Sequence, residues 1–293
     1  MRFGWLPLVL LFAILILAVA AAHAQAGPPF KTDDPETPGN RHWEINFGWL
    51  GSRGAGAGDY SIPDFDINYG LGDRIQLKYE LPIVVHEERE SAGSLEQDSS
   101  PTHEQVVVGL GESLLGVKWR FYQYRPASSN PRLAAGEPPE VKYSVSTYPQ
   151  LSLNNPTASV QRGVVAAGPQ FLLPLEVNAR CGPIRVDAEA GYWFTNRNVP
   201  QSWIRGVIVG HEFTPGTETY FELYDQQDAN RVGDAAKQRQ ATLGLGGRHA
   251  LDERNNLLLL FMGGRSFQKV VSGNGQPGWI AYIGLQLLLG PNR

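Results

Sequence analysis

Between residues 41 and 194 the chain repeatedly alternates apolar with polar or small residues. That period admits half-buried β-strands, because successive side chains on a strand point to opposite faces. "HWEINFGW" sets Trp43, Ile45, Phe47 and Trp49 against Glu44, Asn46 and Gly48. "DFDINYG" sets Phe65, Ile67 and Tyr69 against Asp64, Asp66 and Asn68, and "RIQLKYELP" sets Ile75, Leu77, Tyr79 and Leu81 against Gln76, Lys78 and Glu80. "LLGVKWRFY" opposes Leu115, Val117, Trp119 and Phe121 to Gly116, Lys118 and Arg120. "IRVDAEAGYWF" opposes Ile184, Val186, Ala188, Ala190 and Tyr192 to Arg185, Asp187, Glu189 and Gly191. Weaker segments near 143–151, 164–175, 203–213, 217–225, 239–249, 256–265 and 279–289 bring the count to about twelve, an even number as single-chain bacterial barrels require. After the first 26 residues no stretch carries a capped helical period.

The alternation does not say which face meets water. In a soluble sandwich the apolar side faces a core; in an outer-membrane barrel it faces lipid and the polar side lines the interior. The N-terminus bears on the choice. "MRFGWLPLVLLFAILILAVAAAHAQA" has basic Arg2, an apolar run to about Ala22 and the small-residue pattern Ala22-His23-Ala24, so residues 1–24 are expected to be a secretory signal peptide cleaved after Ala24. A retained membrane anchor is the alternative, because the apolar run approaches spanning length. No later run reaches that length: "NLLLLFMGG" is far too short for a helical span. A mature chain in a membrane would therefore cross as strands.

The connections carry further information. "GLGD", "NARCGP", "TPG" and "LDERN" are tight and rich in turn formers. "GSRGAGAGD", "VVHEERESAGSLEQDSSPTHEQ", "LNNPTASVQRG", "TNRNVPQ", "DQQDANRVGDAAKQ" and "QKVVSGNGQPG" are longer. Short and long connections thus alternate, as periplasmic turns and outward loops do in a barrel with both termini on the periplasmic side. One connection, residues 123–140, departs from the rule and reads as an insertion. Greek-key links would not alternate regularly. Aromatic residues near strand ends, such as Trp43, Trp49, Tyr69, Tyr79, Trp119, Trp203 and Trp279, fit membrane interfaces. The expected fold is an all-β, transmembrane, antiparallel up-and-down barrel of about twelve strands over residues 41–290. It follows an irregular periplasmic tail over 25–40, "QAGPPFKTDDPETPGN".

The tail "GPPFKTDDPETP", the hairpin "INYGLGDRIQLKYELP" and the strand opening "GLGESLLGVKWRF" resemble the bacterial outer-membrane β-barrel proteins grouped under the meta-pathway of phenol degradation. The resemblance runs from about Gly27 to "YIGLQLLLG" and rests on architectural motifs. It implies a location in the outer membrane and passage of aromatic or other hydrophobic compounds, and it assigns no catalytic residues.

Composition and motifs narrow the chemistry. Without the signal, 24 Lys and Arg stand against 29 Asp and Glu, a net charge of about −5 that gives no basic footprint for nucleic acid. Cys181, the single cysteine, excludes an internal disulfide framework and falls in a predicted turn. "HEERE" at His86 lacks the second histidine of a zinc helix, and His211 and Glu212 are strand neighbours on opposite faces. "GLGESL" and "GLGGRH" fall short of a nucleotide-binding loop, so no cofactor or metal is expected. No G-x-S-x-G elbow occurs, although a serine and histidine from distant strands could still make a membrane-embedded hydrolase of lipids or esters.

The informative constellation is the polar face. Glu44, Asp64, Asp66, Lys78, Glu80, Lys118, Arg120, Arg185, Asp187 and Glu189 share it. In a narrow barrel these charges must pair or hold water, because isolated buried charge is costly. They are read either as a permeation path for small solutes or as a network that fills a structural or binding barrel without transport. Expected partners are membrane lipid, a small-molecule solute and the outer-membrane assembly machinery. On this reading, arginine at Leu77 near the bilayer midplane costs about 2–4 kcal/mol of barrel stability in a lipid-based unfolding assay. Lys78→Gln keeps the fold and alters ion selectivity in bilayer recordings; the reverse pair of results would mean that the barrel faces are exchanged.

Overall fold

The computed structural model describes residues 28–54, 57–89, 104–125, 141–196, 199–233, 237–270 and 276–291. The expected signal peptide, and the parts of the two long connections spanning 90–103 and 126–140, lie outside the described residues. The ordered strands are β1 (Trp43–Gly54), β2 (Ala57–Leu71), β3 (Ile75–Glu80), β4 (Ile83–Arg89), β5 (Glu104–Leu110), β6 (Ser113–Tyr124), β7 (Tyr143–Thr147) and β8 (Gln150–Leu153). They continue with β9 (Gln170–Cys181), β10 (Ile184–Phe194), β11 (Ser202–Thr214), β12 (Thr217–Asp228), β13 (Gln238–Ala250), β14 (Leu257–Val270) and β15 (Gln276–Leu289). Every described pairing is antiparallel, and β1 closes the circle by pairing both β2 and β15, the latter from Trp43↔Leu289 to Gly54↔Gly278. The result is a closed antiparallel barrel of 12 strands. Closure through β1 removes the free edges of an open sheet, and among the described strands the short β5, partnered by β4 alone, keeps an unpaired side.

The 15 segments form 12 staves because three staves are interrupted. β3 and β4 are one stave broken at Leu81-Pro82, β5 and β6 one broken at Gly111-Glu112, and β7 and β8 one broken at Tyr148-Pro149. Two of the breaks carry a proline, which cannot donate to the ladder. Backbone bonds patch the gaps: Leu81 N–H donates to Phe65 O at 2.9 Å, Gly111 N–H to Pro82 O at 2.8 Å and Val117 N–H to Pro149 O at 3.0 Å. A register shift between Arg120 and Tyr122 turns both Phe121 and Tyr122 outward.

The apolar face points out. Leu77 is 42% exposed whereas its neighbour Gln76 is 3% exposed, and the same alternation runs along β1, β6, β9, β10 and β12. The outward belt includes Phe47, Leu175, Leu223, Leu245 and Ile283. Near the loop end Trp49, Tyr60 and Trp279 gather, with ring centroids 6.3–6.4 Å apart.

Several strands run further than the residue pattern suggests. "GSRGAGAGD" is strand on both sides, with the β1–β2 ladder continuing to Gly54↔Ala57. Residues 83–89 and 104–110, expected within a loop, form the β4–β5 hairpin. Backbone hydrogen bonds do not require alternating faces, so the ladder continues where the alternation stops. β9 also lies later than the expected 164–175: residues 176–181, read from the sequence partly as a turn, pair with β10 up to Cys181↔Ile184. Cys181 is exposed at that turn.

The tail joins β1 by a close backbone contact. Arg41 N–H donates to Gly70 O at 2.8 Å and Gly70 N–H to His42 O at 2.9 Å, and a Cβ on Gly70 would overlap the Gly39 carbonyl oxygen. Gly70→Ala is therefore expected to lower stability by about 1–3 kcal/mol in urea unfolding. Gly263→Ala, whose Cβ would meet nothing within 4 Å, should change it by less than about 0.5 kcal/mol.

Candidate functional site: the barrel interior

The segment read as an irregular periplasmic tail is irregular, but residues 28–36 lie inside the barrel. Thr32 and Asp34 are 0% exposed, and Pro35 is fully buried. Each step of the segment is met by an inward side chain. Glu222 Oε1 accepts from the N–H groups of Lys31 (2.9 Å) and Thr32 (2.7 Å), and Glu189 Oε2 accepts from that of Asp33 (3.1 Å). Lys118 Nζ donates to Asp33 Oδ1 at 2.7 Å and to the Asp34 carbonyl oxygen, while Arg185 pairs with the Asp34 carboxylate. Arg120 Nη1 donates to Glu36 Oε2 at 2.7 Å. At the turn end, Thr37 Oγ1 donates to Asp73 O and Gly72 N–H to Asn40 Oδ1, both at 3.0 Å. Gly206 makes room for this path, since a Cβ there would overlap Thr32 Oγ1.

All ten residues singled out by the sequence lie on the interior face. They fall into two groups. Lys118, Arg120, Arg185 and Glu189 hold the tail directly, with Asp187 accepting from Arg185 Nε at 2.6 Å and from Asn178 Nδ2 at 2.6 Å. Asp66, Lys78 and Glu80 form a separate cluster, in which Lys78 Nζ lies 2.9 Å from Glu80 and 3.5 Å from Asp66. Asn46 bridges Glu44 and Asp66, at 3.2 and 3.3 Å, and Asp64 adjoins the cluster along β2. Tyr148 ties the two groups together: its ring lies 4.6 Å from Lys118 Nζ, and its hydroxyl accepts from Gln76 Nε2 at 3.1 Å.

Sequence reasoning missed Asp33, Asp34, Glu36, Glu176 and Glu222. The acidic run in "FKTDDPE" was visible, but nothing in the chain's order says that it meets Lys118 and Arg185, more than eighty residues away. Glu176 was hidden by the misplaced β9; it accepts from Ser146 Oγ at 2.5 Å and lies 3.7 Å from Lys118 Nζ. Burial lowers the pKa of Lys31, with Glu222 opposing the shift, and the ammonium sits 5.3 Å from the Tyr224 ring centroid.

The opposite wall carries an apolar cluster set among charged residues such as Glu218, Glu222 and Arg248. Phe30 packs with Ile208, Tyr220, Leu258, Leu260, Met262, Ile280 and Tyr282, and Leu172, Ile204 and Tyr224 form a second cluster against Trp193. Two cavities accompany the tail. One, of about 240 Å³, is bordered by Pro28–Lys31 and Asp33 together with Asp64, Lys78 and Tyr282; the other, of about 320 Å³, is bordered by Glu36–Asn40 with Arg120 and Arg248. The buried residues Thr32, Asp34 and Pro35 lie between them along the chain. Among the described residues no group of three or more His, Cys, Asp or Glu is arranged to hold a metal ion.

Comparison with known proteins places the fold. No family model matches the chain, and no curated protein does. Among solved structures, an outer membrane channel from Pseudomonas putida F1 is similar at a TM-score of 0.61 and 13% identity, over 90% of this chain and 100% of that one. The translocator domain of the autotransporter NalP from Neisseria meningitidis is similar at a TM-score of 0.50 and 8% identity, over 85% of this chain and 89% of that one. At these identities the likeness establishes the barrel fold.

Removing the tail's anchor has a calculable consequence. Arg185→Ala leaves Asp34 and Asp187 buried without their shared cation and is expected to cost about 3–5 kcal/mol. In a Cys181→Ser background, a cysteine placed at Thr32 should react with a water-soluble maleimide at least tenfold faster when Arg185 is also replaced.

Proposed function

We propose that the protein is an outer-membrane channel for small solutes and that the tail sets its aperture. The observation that carries the reading is the mixed interior: charged residues on β1–β3, β6 and β10 face a wall on β11–β15 that combines an apolar cluster around Phe30 with Glu218, Glu222 and Arg248, with a cavity on each side of the tail. A barrel that served only as a stable shell would not need open volume on both sides. The similarity in fold to an outer membrane channel supports the same reading, and the outward apolar belt suits a bilayer.

The ten interior residues then have distinct parts. Lys118, Arg120, Arg185, Asp187 and Glu189 hold the tail across the path, whereas Glu44, Asp64, Asp66, Lys78 and Glu80 line the route beside it. The apolar cluster suits solutes with an aromatic or other hydrophobic body, the class that the resemblance in "GPPFKTDDPETP" and "INYGLGDRIQLKYELP" implies.

The complete enclosure of Thr32, Asp34 and Pro35 favours one competing reading, a barrel whose interior is simply filled. Bilayer recordings decide between them. Deleting residues 28–36 should raise single-channel conductance severalfold over the full-length mature protein, and Gly206→Val, which crowds Thr32, should raise it partially. If neither the full-length protein nor the deletion conducts ions or admits solutes in a liposome-swelling assay, the filled-barrel reading stands instead.

A further inference from the structure

The cavity beside Phe30 has a chemical character that the channel reading alone does not specify. Its carboxylates are Asp33, Asp64, Asp66, Glu80 and Glu189, and its cations are Lys31 and Lys78. Most of these groups are already engaged. Lys78 lies between Glu80 and Asp66, Asp66 also accepts from Asn46 and Asn68, and Asp33 is paired with Lys118. Two carboxylates retain capacity. Asp64 has no hydrogen-bond or ion-pair partner among the described residues, and Glu189 accepts one bond, through a single oxygen, from Asp33 N–H.

The cavity also contains two tyrosine hydroxyls without a partner among the described residues. Tyr282 is 4% exposed and Tyr224 is 8% exposed, and both border the open volume. The hydroxyl end of Tyr282 sits over Gly48 and Gly284, where a Cβ would overlap it, and Gly48 is the register partner of Asp64. The hydroxyl thus reaches across β1 toward β2 and Asp64. Buried hydroxyls ordinarily find partners, so an unengaged pair beside an open volume marks where a ligand's polar end can bind. Leu172, Ile204, Met262 and Ile280 supply apolar surface for the rest of the molecule. A cavity of about 150 Å³ suffices to hold benzene, so the roughly 240 Å³ here admits one ring-sized body.

We propose that this cavity is a binding site for a small molecule with an apolar, ring-sized body and a protonated amine end, the amine directed to Asp64 and hydrogen-bonded by the Tyr282 oxygen beside it. A carboxylate of the same shape is disfavoured there: it would approach Asp64 beside Asp66 and Glu80, where the adjacent cation, Lys78, is already held by two acids. A neutral alcohol falls between, with Tyr282 as partner and no charge term.

The site rests on the channel reading for its role, but its binding can be measured separately. Titration calorimetry of the folded full-length mature protein in detergent, with 2-phenylethylammonium, 3-phenylpropan-1-ol and 3-phenylpropanoate as probes, compares the three ends on similar bodies. The ammonium is expected to bind at least tenfold more tightly than the propanoate, and Asp64→Asn should reduce that advantage at least threefold while retaining heat-modifiable gel migration. If Asp64→Asn does not fold, Asp64→Ser, a smaller neutral side chain, serves the same purpose. Equal or tighter binding of the propanoate, an unchanged preference in the folded variant, or no binding of any probe would overturn the site. Binding with the expected order in a barrel that conducts nothing would remove the channel role and leave the site.

Discussion

Asp33 and Asp34 meet Lys118 and Arg185 in the middle of a narrow barrel, and much of the interior is arranged around that meeting. A 12-stranded wall with alternating faces must point about half of its side chains inward. Where those are Lys118, Arg120 and Arg185, they need counter-charges that the wall only partly provides. The tail supplies them from above its entry turn, through Asp33, Asp34 and Glu36, and its N–H groups are accepted by Glu189 and Glu222. Such a network contributes little net stability, because desolvation offsets attraction, but losing one member is expensive. It therefore specifies where the tail lies more than it strengthens the barrel.

The same segment explains the apolar cluster. Phe30 enters beside Ile208, Leu260, Met262 and Ile280, so these interior positions face another side chain instead of open water. The interior varies by chemistry as well as by the tail: Lys118, Arg120 and Arg185 lie on one side, and on the other hydrocarbon and tyrosine are set among Glu218, Glu222 and Arg248. Glycines at 48, 206 and 284 belong to the same arrangement, since each leaves room for Tyr282 or Thr32 against the wall.

How much could be read in advance depended on what each face touches. β1, β2, β3, β6 and β10 were legible because an outward apolar face and a polar interior impose strict alternation. β14, "LLLLFM", alternates poorly because Leu258, Leu260 and Met262 pack inward while Phe261 faces out. The beginning of β9 was misplaced for a related reason: its inward Glu176 and Asn178 and the adjoining "NARCGP" looked like a turn, although the ladder runs on to Cys181. The ten interior residues could be assigned to one face, but not sorted into those that hold the tail and those that do not.

By itself the sequence determined the strand period, the number of staves and the face on which each charge of the clear strands would lie, because those follow from side-chain alternation along a single segment. It also displayed "FKTDDPETP" as irregular and acidic. Only the tertiary structure decided that this segment turns inward, that Asp34 meets Arg185 across the interior, and that Tyr282 lies over Gly48 beside Asp64. Those contacts join residues far apart in the chain, and their partners are chosen by barrel closure and by the need to pair desolvated charge, neither of which is written in any local pattern.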